Sequence, residues 1–207
     1  MLAVAVLVVA GTGAYLLWPE PTLDGQAAVD AALVTEADMP GFSTWGRIEG
    51  SLPQPAGGGD PDRTVLTGAA LAETCESYRS PDDSWACQDL QGLGWVGLVK
   101  SANAFFRLLS TVLAYEDEDA AEEAYEGLVA SQRQAVPEDH EESSPNLGDE
   151  CVSFTFGGAT SYAIRSGTVV VELFIADSSD QVDEAEERTT AQELATNQLD
   201  KIEKALG

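Results

Sequence analysis

A chain of 207 residues, 44% hydrophobic and 22% charged, has the balance of a globular protein and the length of one domain. Its 36 acidic residues against 10 basic ones give a formal net charge of −26, a field that repels phosphate backbones and anionic headgroups alike. The cations (Arg47, Arg63, Arg79, Lys100, Arg107, Arg133, Arg165, Arg188, Lys201 and Lys204) are scattered singly, so nucleic acid is excluded as a partner.

The chain opens on Leu2 to Trp18, LAVAVLVVAGTGAYLLW, with no charge and almost no polar group. As a helix it spans about 25 Å, close to the roughly 30 Å of a hydrocarbon core. Two readings stand. Residues 1–18 are a transmembrane signal-anchor, which makes the membrane a partner through this helix, or a signal peptide cut near the small residues Thr12-Gly13-Ala14. Cleavage would leave the apolar Tyr15-Leu16-Leu17-Trp18 at the mature end. Either way the rest is exported: tethered to the membrane with the domain outside, or secreted if the segment is removed. Residues 19–26 form a linker and residues 27–207 a single extracytoplasmic domain.

Ala27 to Met39 reads as a helix stopped by Pro40-Gly41, and Phe42 to Ile48 as a first strand. Ser51 to Arg63, SLPQPAGGGDPDR, is a loop, and Thr67 to Tyr78 a second helix. Trp95 to Tyr115 carries the strongest β signal, apolar on both faces in places, as in a central strand covered on one side by helices. Asp117 to Ala135 is a helix with Ala121, Tyr125 and Leu128 on one stripe and an acidic first turn that suits the helix dipole. After a charged loop (Val136 to Gly148) come strands Cys151–Phe156, Ser161–Arg165 and Val169–Ile175, the last two joined at Ser166-Gly167. A closing helix from Asp183 to Leu206 presents Ala191, Ala195, Leu199, Ile202 and Leu206. The expected fold is α+β: an antiparallel sheet with helices on one side, preceded by the N-terminal transmembrane or signal helix.

The cysteines are Cys75, Cys87 and Cys151. In an exported chain, Cys75 and Cys87 around the turn-rich ESYRSPDDSWA favour a disulfide closing a short loop, worth about 3 kcal/mol by chain entropy. Cys151 reads as a small buried apolar residue, although three cysteines also allow bridges to it.

Tyr115 with the Ala-rich helix after it, then LGDECVSF, AIRSGTVVVEL and LATNQLDKIEKAL, resembles the sensor-like extracellular domain of actinobacterial membrane Ser/Thr kinases and its stand-alone relatives. The upstream LVTEADMPG is similar to the opening of many such exported proteins. The resemblance covers the second half of the chain and implies an α+β domain with a cleft and a sensing role. Two departures stand out: no kinase is present, and three cysteines cannot make the usual two-disulfide framework.

Catalytic constellations are thin. The one histidine, His140, lies in the acidic PEDHEE, no G-x-S-x-G elbow occurs, and Cys151 with His140 is the remaining thiol–base pair to test. No Cys/His cluster suits zinc. The acidic runs Asp60-Pro61-Asp62, Glu116 to Asp119 and Glu138 to Glu142 lack the EF-hand pattern and read as solvated loops or a helix start. Trp18, Trp45 and Trp95 read as interface or core residues, while Trp85 sits in the cysteine loop, where side chains tend to be displayed. The sequence thus predicts no catalytic residue, cofactor or metal. It predicts a non-enzymatic binding or sensor-like domain for an unknown small ligand or envelope protein. The alternatives are a cell-envelope structural or protein-interaction module and, behind it, a hydrolase with a carboxylate site.

Overall fold

The computed structural model describes residues 22–44, 63–77, 84–100, 103–177 and 184–206. The apolar segment Leu2 to Trp18, the Pro/Gly-rich loop apart from Arg63, and Trp45 lie outside the described residues. Among those described, no helix is long and apolar enough to cross a membrane.

The strands are β1 (Phe42–Thr44), β2 (Arg63–Thr67), β3 (Leu90–Lys100), β4 (Asn103–Tyr115), β5 (Glu141–Ser143), β6 (Glu150–Phe156), β7 (Ala159–Ser166) and β8 (Val169–Asp177). They form one eight-stranded sheet in the order β1-β3-β4-β8-β7-β6-β5, every pairing antiparallel, with β2 also paired to β3. β1 meets Leu98 to Lys100 and β2 meets Gly92 to Val96, so the two short strands share one edge of β3 end to end. The helices are α1 (Gly25–Ala32), α2 (Gly68–Ser77), α3 (Glu118–Ala135) and α4 (Glu184–Leu206). The α+β expectation holds.

The helices do not lie on one side of the sheet, as the sequence suggested. In β4, Val112 and Ala114 join the core under α1 and α4, whereas Leu113 and Tyr115 join the core under α3. The same alternation separates Val171 from Val170 in β8 and Ile164 from Ala163 in β7. Successive side chains of a strand point to opposite faces, so strands apolar at every position require cover on both.

α1 is held by proximity. It has eight residues, too few to persist alone, and it lies tight against β3. A Cβ at Gly92 would stand 2.6 Å from Val29 Cγ2, and one at Gly94 would stand 3.0 Å from Leu33 Cδ1 and from Val29 Cγ1. Two glycines in one strand, on one face, therefore make the groove that admits the helix. α1 also stops earlier than the expected Ala27–Met39. Leu33 turns extended, and Thr35 donates from both N and Oγ1 to Asp38 Oδ2 (2.9 and 2.6 Å). This side-chain turn competes with helix continuation. Burial pushes the Asp38 carboxyl up, but hydrogen bonds from Thr35 and Lys201 outweigh it and hold the carboxyl below its ordinary value.

A polar bridge crosses the same core. Ser110 Oγ on β4 donates to Gln198 Oε1 on α4 at 2.7 Å, and Gln198 Nε2 donates to the Ala32 carbonyl at 2.6 Å. Both side chains are fully buried. The Ala32 carbonyl is one that a helix end leaves without an intrahelical partner, and Gln198 satisfies it.

Other elements shift from their expected places. Trp95 to Tyr115 is not one strand but most of the β3–β4 hairpin. β2 begins at the last residue of the expected loop, and the charged loop after α3 holds the short β5. Cys75 and Cys87 form the expected disulfide, twelve residues apart, joining α2 to a 3-10 turn at Ser84–Cys87. Tyr115 Oη donates to the Ala86 carbonyl in that turn, which also packs on α3.

Three outcomes are expected in urea unfolding. Gly92→Ala should cost about 1–3 kcal/mol, because buried, β-branched Val29 cannot move aside. Gln198→Leu should cost about 2–4 kcal/mol by stranding two buried groups, and Ser110→Ala in that background should cost far less than in the parent. Replacing both Cys75 and Cys87 by Ser should remove about 3 kcal/mol.

Candidate functional site

The α3 face of the sheet carries the candidate site. α3 begins at Asp117, whose Oδ1 accepts from Ala120 N at 2.9 Å, with Glu118 and Asp119 in its first turn. It lies across β7, β8 and β4, burying Ala121, Ala124, Tyr125, Leu128 and Val129 against Leu113, Phe154, Ala163 and Val170. Arg133 fixes its far end by a two-point pair with Glu142 of β5, at 2.6 and 3.1 Å. The last buried residue of its stripe is Gln132, at 8% exposure.

Gln132 reaches Glu172 in the middle of β8, its Nε2 donating to Oε1 at 3.0 Å. Glu172 is flanked in register by Thr111 of β4 and Ala163 of β7, and Thr111 in turn by Trp95 of β3. One step along the strands, on the same face, Leu109 stands beside Phe174. Paired residues of antiparallel strands share a face, so Trp95, Thr111, Glu172, Leu109 and Phe174 form one continuous floor. Gln132, on the buried stripe of α3, meets it at Glu172. Trp95, Thr111, Leu109 and Glu172 are half-buried, and Phe174, at 38%, is the exposed large hydrophobic residue among the described ones. α3 meets β4, β8 and β7, while α2 meets β2 and β3, so the Trp95–Thr111 step lies between the strands the two helices cover.

The electrostatics of this floor are set by burial. Desolvation raises the Glu172 carboxyl above its ordinary value, and the Gln132 hydrogen bond only partly opposes this. No ion pair reaches Glu172 among the described residues. Gln132 Oε1 is buried and has no hydrogen-bond partner there. Rotating the amide merely exchanges which of its atoms is left over, because Glu172 is its one polar neighbour in hydrogen-bond contact. The arrangement can accept hydrogen bonds from a group that enters beside it.

The residues singled out in the sequence fall elsewhere. Cys151 is buried and free, its thiol pushed up to about 12 by desolvation. It faces the α1–α4 core, whereas the His140 ring packs 5.6 Å from Phe154 on the α3 face, so the sheet separates thiol from imidazole. Of the acidic runs, Glu116 to Asp119 is the start of α3, and in Glu138 to Glu142 the last two carboxylates pair with Arg188 and Arg133. Asp60-Pro61-Asp62 lies outside the described residues. No group of three metal-ligating side chains occurs among the described residues. The tryptophan on the floor is Trp95; the Trp85 side chain lies outside the described residues.

Two signals in the sequence point to the floor. Glu172 interrupts VVVELFI, a strand otherwise wholly apolar, and Gln132 continues the α3 stripe four residues after Leu128. Neither belongs to a motif.

Among known proteins, no family model matches the chain, and no curated protein matches it. Among solved structures, the chain is similar to the extracellular domain of PknH from Mycobacterium tuberculosis, with 12% identity, covering 89% of this chain and 99% of that one at a TM-score of 0.48. That is a domain of the kind the sequence resembles, but at this identity none of its residues assigns a role here.

Proposed function

We propose that this chain is a non-enzymatic, sensor-like binding domain that works outside the cytoplasm, tethered by its apolar N-terminal segment, and that it binds its ligand on the α3 face of the sheet. The observation that carries this reading is the Gln132–Glu172 pair between α3 and β8, on the face that also holds the half-buried Trp95, Thr111 and Leu109 and the exposed Phe174. An apolar surface with a few convergent polar groups is the usual make-up of a ligand site. Polar atoms left unpaired in a folded protein carry a free-energy cost that a ligand removes.

The disulfide supports the location, since such bonds persist in oxidising compartments and are rare in the cytosol. Binding rather than catalysis fits a carboxyl whose hydrogen-bond partner among the described residues is an amide. The surface charge is consistent with an exposed, soluble module. Arg63, Arg133, Arg165, Arg188 and Lys201 are already paired with carboxylates, so the acidic excess faces solvent uncompensated.

Native mass spectrometry of the full chain, released from mild detergent after expression in an oxidising compartment, tests the reading. A small mass is expected to stay with the parent and to be lost from Glu172→Gln, which keeps the Gln132 hydrogen bond and the side-chain volume. A bare chain in both, even after incubation with the host's small-molecule extract, would replace the binding reading with the protein-interaction module.

A further inference from the structure

Glu172 occupies the middle of β8, in an otherwise apolar run, between Thr111 of β4 and Ala163 of β7. α3 packs on this part of the sheet and buries Leu113, Ala163 and Val170 around it. Gln132 Nε2 of that helix donates to Glu172 Oε1 at 3.0 Å, while Gln132 Oε1 is buried without a partner among the described residues. An ionised carboxylate only accepts, so it cannot supply the donor this oxygen lacks.

A protonated carboxyl can. A carboxylic acid and a primary amide match edge to edge: the amide N–H donates to one acid oxygen, and the acid O–H donates to the amide oxygen. The first of these bonds is in place, and a small turn of the two planes about it closes the second. One proton thus satisfies the orphaned oxygen and removes a negative charge from beneath an apolar helix face. Glu172 is half-buried, so the proton exchanges with solvent.

Charged and titratable groups reach the same face from each neighbouring element. β4 brings Arg107, paired with Ala176 two side chains further along β8; β7 brings Arg165, paired with Val170 and bound to Glu150. α3 brings Tyr125 and Arg133, the latter bound to Glu142, and His140 lies against Phe154 of β6. Burial raises the Glu172 carboxyl, the Gln132 bond opposes it, and none of these charges contributes.

We propose that Glu172 is a pH-sensitive latch: as an acid it pairs edge to edge with the Gln132 amide and seats α3 on β8, and on losing its proton to solvent it loosens that seat. The latch lies on the face assigned above to ligand binding but stands on the pair itself, whether or not a ligand binds. Between the unfolded and the raised folded value of this carboxyl, the folded chain holds the extra proton. Its contribution to stability is therefore complete below the unfolded value and is lost as pH rises through the folded one. Glu36 and Glu142, held low by hydrogen bonds from Thr44 and Arg133, run the opposite way, so the readout must be local.

Nuclear magnetic resonance of the isotope-labelled full chain in detergent micelles tests the latch, with the Glu172 side-chain carboxyl assigned through its own backbone amide. That carboxyl is expected to titrate at a higher pH than glutamate in the urea-unfolded chain. Across the interval between the two, hydrogen-exchange protection of the Leu128 to Gln132 amides, corrected for the intrinsic rate, should fall up to tenfold per pH unit as pH rises. Glu172→Gln, neutral at every pH and of the same volume, should remove that fall, whereas Glu126→Gln on the exposed side of α3 should keep it. A Glu172 carboxyl that titrates with unfolded glutamate would overturn the proposal. So would protection that ignores pH in the parent, or that falls equally in Glu172→Gln. Should Glu172→Gln not fold, titration and protection of the parent decide alone. The mass retained by the native chain judges the binding reading apart from these outcomes.

Discussion

Everything on one side of this sheet depends on the amide of Gln198. It lies in the α1–α4 core, accepts from the Ser110 hydroxyl of the central strand β4, and donates to the last carbonyl of α1. A buried amide costs free energy unless both its ends are used, and here both are. The geometry fixes three elements at once. α4 can neither slide nor rotate along β4 without breaking the first bond, and α1 cannot withdraw without breaking the second. The apolar contacts around them, Val29, Leu33, Leu194 and Ile202 among others, supply burial but not register. A polar pair in an apolar core specifies one arrangement among many of similar area.

The two faces of the sheet are finished differently. The α1–α4 side is closed, with Gly92 and Gly94 removing the side chains that would hold α1 off β3. On the other side α3 covers the β7–β8 half, and the surface near Trp95, Leu109 and Phe174 stays partly accessible. The contrast is legible in the chemistry. Where the core is complete, each polar group of the bridge finds a partner; under α3 the amide oxygen of Gln132 finds none among the described residues. Local departures from complete satisfaction are where function is expected in a folded protein.

The regular parts of this fold could be read from the sequence because they repeat. The Ala121–Tyr125–Leu128 stripe and Asp117 at its head place α3 to within one residue, and the apolar run of β8 is plain. The Cys75–Cys87 bridge followed from spacing and compartment. What stayed hidden depends on tertiary partners. β2, five residues of RTVLT, has no periodicity long enough to stand out and exists because β3 offers it an edge. The early stop of α1 comes from a side-chain turn at Thr35 and Asp38, which Asn197 and Lys201 of α4 also engage through Asp38. The second covered face was implied by Phe105 to Leu113, whose apolar residues occupy both parities, but the number of layers is not a property of a single strand. The floor of the candidate site is the hardest to read. Trp95, Thr111, Gln132, Glu172 and Phe174 come from four separate elements, and only sheet register brings them together.

The pairing of α1 with α4 ties the first described helix to the last. Gln198 reaches back 166 residues to Ala32, Asn197 reaches 159 to Asp38, and Lys201 binds the same aspartate. Loops of that length close late, and contacts of high sequence separation slow folding. A chain emerging N-terminus first therefore has α1 without a seat until α4 is free. The short cysteine loop and the β3–β4 hairpin can form early; the core that locks them cannot.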